Sequence, residues 1–146
     1  MNENYLITIK GIIRNDDDED IEELTTTADY FERDDKKLIK YREFAAEQNG
    51  NAYAIINIIK IEGERITHIK RFEGNSGQMI FESGIRHQCV YLSMMGQLSI
   101  GIYTDYLYAD IDENGGTIDI NYYIDYNGGF DTENIIHITL KKLEDQ

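Results

Sequence analysis

The stretch Gly77–Thr104, GQMIFESGIRHQCVYLSMMGQLSIGIYT, decides the fold. Its apolar and polar residues alternate with period two, and Ser83-Gly84 and Met94-Met95-Gly96 break the alternation where a chain would turn. Period two places successive side chains on opposite faces of a strand. Ile85, His87, Cys89 and Tyr91 then share one face, with Arg86, Gln88 and Val90 on the other. The stretch reads as strands over Gln78–Glu82, Ile85–Ser93 and from Gln97 to about Asp112, joined as hairpins, with Gly101 marking a kink.

The same pattern extends towards both ends. Tyr5–Arg14 alternates Tyr5, Ile7 and Ile9 with more polar neighbours, and Gly11 suggests a bend or bulge. Asn15–Asp20 (NDDDED) reads as an acidic hairpin loop. Ile21–Arg33 puts Leu24, Thr26, Ala28 and Tyr30 on one face, and its threonine run disfavours a helix. Leu38–Phe44 follows the Asp34–Lys37 turn, and residues 45–51 fit either a polar loop or one helical turn. Ala52–Glu62 and Arg65–Phe72 form a hairpin around Gly63. Asn114-Gly115 predicts a type I′ turn, in which both central residues take positive φ. Beyond it, Thr117–Asn127 puts Ile118, Ile120, Tyr122, Ile124 and Tyr126 on one face, and Asn134–Leu143 does the same with Ile136, Ile138 and Leu140. About ten short strands with hairpin connections predict an all-β antiparallel barrel or sandwich, one domain over residues 1–146.

Composition narrows the function. Twenty-eight acidic residues against 14 Lys and Arg leave a net charge of −14, which repels a polyanion and argues against nucleic-acid binding. No apolar run reaches the length of a membrane span, and no leader-like segment opens the chain. The single cysteine cannot form an internal disulfide, so a cytoplasmic, reducing setting is expected. The absence of proline leaves every backbone N–H free to join a ladder.

No motif amounts to a catalytic constellation. His87 and Cys89 lie two apart on a strand, about 6–7 Å, too far for an activated nucleophile. As metal ligands they would need a third, from His68 or His137. An enzyme would need Arg86 or His87 to meet a carboxylate such as Glu82 or Asp105 in a dry pocket. Asp110–Gly115 imitates the start of a calcium loop, but Asn121 stands where the bidentate glutamate is required, and the flanks have strand period. No metal and no cofactor is expected. Eleven tyrosines, many in the second half, suit either sheet packing or a ligand cavity.

The runs Ser76–Tyr91, Gly96–Thr104 and Asp112–Gly116, with an opening strand ending in Lys10-Gly11, resemble the YwiB-like family of bacterial β-barrel proteins across nearly the whole chain. The resemblance implies a lipocalin-like (calycin) up-and-down β-barrel, and brings no functional residues with it. A barrel has a lumen, so the expected function is binding of a small, partly apolar ligand, oriented by Gln78, Arg86, His87 and Tyr91. The alternative is a side-chain-filled barrel whose acidic outer surface meets a basic protein partner. The sequence leaves the oligomeric state open.

Overall fold

The computed structural model describes residues 4–46, 50, 52–93, 96–126 and 129–144. Ten strands follow one another: β1 (Tyr5–Asn15), β2 (Asp18–Arg33), β3 (Lys36–Ala46), β4 (Ala52–Glu62), β5 (Arg65–Phe72), β6 (Asn75–Glu82), β7 (Arg86–Ser93), β8 (Gly96–Asp112), β9 (Gly115–Tyr126) and β10 (Gly129–Lys142). Every ladder is antiparallel, and the hydrogen-bonded order is β6-β5-β4-β3-β2-β1-β10-β9-β8-β7. Each strand therefore lies beside its sequence neighbours, and β1 pairs with β10 from Tyr5↔Lys142 to Arg14↔Glu133. The result is an up-and-down barrel, as the family resemblance implied, and one of the two forms, barrel or sandwich, that the alternation allowed.

The barrel closes without a ladder between β6 and β7. Side chains and loop backbone bridge this seam. The Ile80 N–H donates to Cys89 Sγ at 3.4 Å, and Gln97 Nε2 donates to the Ser76 carbonyl at 2.6 Å. The connection after β6 tucks onto β8, with Gly84 N–H on the Thr104 carbonyl at 2.8 Å. Gly77 is required by close approach: a Cβ there would fall 2.5 Å from Leu92 N and 2.8 Å from the Val90 carbonyl oxygen.

One face of every strand fills the interior, and one end of it is solid. Ile7, Ile39, Ile66, Phe81, Ile102 and Ile118 are all at most 1% exposed. Lys37 Nζ donates to the Ile111 carbonyl and Tyr5 Oη to the Glu113 carbonyl at 2.6 Å, so polar groups of the strands and turns at this end are tied off by side chains. Burial of each such aliphatic or aromatic chain contributes roughly 1.5–3 kcal/mol.

Several local expectations are corrected. Gly11 makes no bulge, since both its ladders run in unbroken register. Gly101 is likewise in register; it makes room for the Arg86 guanidinium, and the bulge of β8 lies between Thr104 and Tyr106. The acidic loop shrinks to Asp16-Asp17, because Asp18–Asp20 pair with β1 and Glu19 meets Arg14 at 3.0 Å, which offsets carboxylate repulsion. The β8–β9 turn is Glu113-Asn114, with the Asn114 N–H held by Asp112 Oδ1 at 2.8 Å, and positive φ falls on Gly115 and Gly116 instead of on Asn114. β6 starts at Asn75, earlier than the alternation suggested. The loop-or-helix alternative at 45–51 and the turn at Met94-Met95 fall largely outside the described residues.

Candidate functional site: the open end of the barrel

The end opposite the solid one holds a cavity of about 600 Å³. It exists because the inward face loses its bulk there. Gly11 follows Ile7 and Ile9 at the inward spacing, and a Cβ on it would meet nothing within 4 Å. Its cross-strand neighbour Glu22 follows the inward line of Leu24, Thr26 and Ala28. Ile9, Ile59, Ile100 and Ile138 give the cavity apolar walls, and Tyr41, Tyr91, Tyr122 and Tyr126 add aromatic faces.

A polar network crosses one wall. His68 Nε2 lies 2.8 Å from Asn57 Oδ1 and 3.4 Å from Tyr41 Oη. Asn57 is fully buried within the isoleucine run of β4 and donates to the Ile55 carbonyl at 3.3 Å. Burial, reinforced by the Lys70 ammonium, pushes the His68 pKa down to about 3. The ring is therefore neutral at physiological pH and donates from Nε2 to Asn57. Lys70, one inward step further along β5, pairs with Glu43 at 3.4 Å.

Tyr122 stands apart. It is 5% exposed, its ring packs edge-on against Phe81 at 4.7 Å, and its hydroxyl has no hydrogen-bond partner among the described residues. Burial raises its pKa, with Tyr91 and then Glu22 adding to the effect, so it remains a neutral hydroxyl. Among the described residues the fully enclosed side-chain oxygens without a partner are Thr104 Oγ1 and Asn121 Oδ1, so the Tyr122 oxygen, although its residue is buried, keeps accessible surface. Tyr122 lines the cavity, where its partner can be a ligand.

Of the four residues expected to orient a ligand, the structure brings only Tyr91 to the cavity wall. Gln78 is exposed on the outer face of β6. Arg86 is also outside, gripping Asp125 through Nε at 2.9 Å and Nη2 at 2.8 Å, and reaching Gln88 Oε1 at 2.9 Å. His87 meets Glu82 at 2.9 Å near the solid end, away from the cavity. Cys89 is buried, its thiol pushed up mainly by that burial, and it contacts backbone groups of Ile80 and His87. His87 and Cys89 thus form no dyad. His68 and His137 are engaged elsewhere, with Asn57 and Asp119, and no cluster of three or more His, Cys, Asp or Glu placed to hold a metal occurs among the described residues.

Sequence reasoning missed Gly11, Glu22, Asn57, His68 and Tyr122 as a group. The signal was the interruption of an inward apolar line: Gly11 and Glu22 break the lines of Ile7-Ile9 and Leu24-Ala28, and Asn57 stands inside AYAIINIIKIE.

Comparison with known proteins extends the fold and adds no chemistry. A family model described as "Domain of unknown function (DUF1934)" matches residues 7–138. The crystal structure of ywiB protein from Bacillus subtilis aligns with a TM-score of 0.80 at 20% identity, covering 96% of this chain and 92% of that one. No curated protein matches.

Proposed function

The chain belongs to the DUF1934 family, and from that premise, which supplies a barrel and no activity, we propose that it is a binding protein for a small, partly apolar molecule held in the open end of the barrel. The observation that carries the reading is the cavity of about 600 Å³ lined by Tyr122, a buried residue whose hydroxyl has no hydrogen-bond partner among the described residues. Ligand pockets typically span about 300–1,000 Å³, with mostly apolar walls and a few polar groups that set orientation. Here Tyr122, Tyr91 and the neutral His68 ring supply those groups, in place of Gln78, Arg86 and His87. A reducing cytoplasmic setting goes with the reading, supported by the one unpaired cysteine.

The expected experiment is mass spectrometry, under native conditions, of protein purified without denaturation. Wild-type protein should carry a co-purified small molecule, and Gly11→Phe, which sets a ring in the ligand's space, should not. Equal occupancy in the two proteins would sink the proposal.

A second reading is supported by the outer face of β8, where Tyr103, Tyr106 and Tyr108 are each at least 40% exposed beside Asp105 and Asp110. Tyrosines interleaved with carboxylates suit a basic protein segment. The filled interior which that alternative assumed is found at one end of the barrel only.

A further inference from the structure

Resting on the reading of the cavity as a ligand site, we infer that its ligand is an organic ammonium compound with an apolar body, the cation seated at the mouth between Glu22 and the tyrosines. The charges around the cavity point to this class. Among the described residues Lys70 is the only lysine or arginine lining it, and it is already paired with Glu43 at 3.4 Å. Glu22 has no ion-pair or hydrogen-bond partner among the described residues, and its cross-strand neighbour on β1 is Gly11, which has no side chain to answer it. A carboxylate without a cationic partner among the described residues therefore stands at the mouth, above walls made mostly of isoleucine and tyrosine.

Four further features fit the same chemistry. Tyr122, 5% exposed, has a hydroxyl without a partner, and burial keeps that hydroxyl neutral, so its oxygen is able to accept an N–H. Glu22 and Tyr122 line the same cavity. Tyr91 and Tyr126 line the same region, and aromatic faces around an ammonium contribute cation–π attraction. The neutral state of His68 removes a positive charge that would oppose a cation. The chain's net charge of −14 attracts cations from a distance and repels an anionic amphiphile.

The test uses three probes of one chain length: octylammonium, octanol and octanoate, titrated calorimetrically into the full-length protein at low salt. Octylammonium should bind about tenfold more tightly than octanoate, with octanol between them, and the advantage should shrink as salt is raised. Because Glu22 is solvent-exposed, Glu22→Gln should weaken octylammonium by about threefold to fivefold and leave octanol unchanged. Octanoate binding as tightly as octylammonium, or equal losses for octylammonium and octanol in the variant, would overturn the ammonium assignment while leaving the cavity as a ligand site. Failure of all three probes to bind would overturn the cavity reading itself, and this assignment with it.

Discussion

The two ends of this barrel are built from the same strands on the same alternation, yet one is solid and the other hollow. At the solid end the inward positions carry Ile7, Ile39, Ile66, Phe81, Ile102 and Ile118, with Lys37 and Tyr5 capping the last carbonyls. A few residues along the same strands, inward positions fall to Gly11, Glu22, Glu43 and Lys70. Strand period determines which side chains point inward. Whether the interior is then full depends on the volume and polarity of the individual residues at those positions. The solid end holds the molecule together, and this leaves the hollow end free to carry a cavity and a tyrosine hydroxyl without a partner among the described residues.

Substitution should separate the ends by magnitude. Phe81→Ala removes a ring that is 1% exposed and supports Tyr122 edge-on, and should cost about 3–5 kcal/mol of unfolding free energy in urea titrations. A loss below about 1 kcal/mol would show that the solid end is not the stabilising half. The next effect belongs to His68. In the unfolded chain its imidazole titrates near 6.5, whereas in the fold it stays neutral until about pH 3. Between those values the unfolded state binds one more proton, so stability falls as the pH drops, by up to about 1.4 kcal/mol per unit. His68→Gln should remove this component, read as a flatter dependence of the urea midpoint from pH 6.5 to 4.5; carboxylates held low by their partners, such as Glu62 and Glu82, contribute mainly below that range.

Smaller effects sharpen the contrast. Gly11→Leu at the hollow end inserts a side chain where a Cβ meets nothing within 4 Å. It should change stability by less than about 1 kcal/mol, while abolishing uptake of a neutral dye such as Nile red. A large destabilisation would mean that the chamber is not free space. The smallest expected effect is that of Arg86→Ala, on the outer wall. The side chain is 43% exposed, so solvent screens even its two-point grip on Asp125, and the substitution should leave the urea midpoint nearly unchanged, with no change in dye uptake.

Much of the fold was legible because alternation is a local property: ten strands and their inward faces follow from period two and from the turns. The site was less so. Arg86 and His87 drew attention as rare residues in strand sequence, but their partners, Asp125 and Glu82, satisfy them on the outer wall and near the solid end. Only closure of the barrel brings Gly11 of β1, Glu22 of β2, His68 of β5 and Tyr122 of β9 around one space, with Asn57 of β4 holding His68. Tyr122 in particular reads as one more inward residue of β9. Its lack of a partner is a fact of three-dimensional packing.

The seam between β6 and β7 has a topological consequence. The covalent chain is interrupted between β10 and β1, where a continuous ladder holds the two strands, while the hydrogen-bonded wall is interrupted between β6 and β7, where the chain runs on through residues 83–85. Each break is thus spanned by the other kind of bond. A chain rejoined from Lys142 to Tyr5 and cut at the seam would begin at β7, end at β6 and keep all nine ladders between consecutive strands. In that circular permutant the barrel would be a single uninterrupted meander, with its two free edges meeting at Gly77 and Cys89.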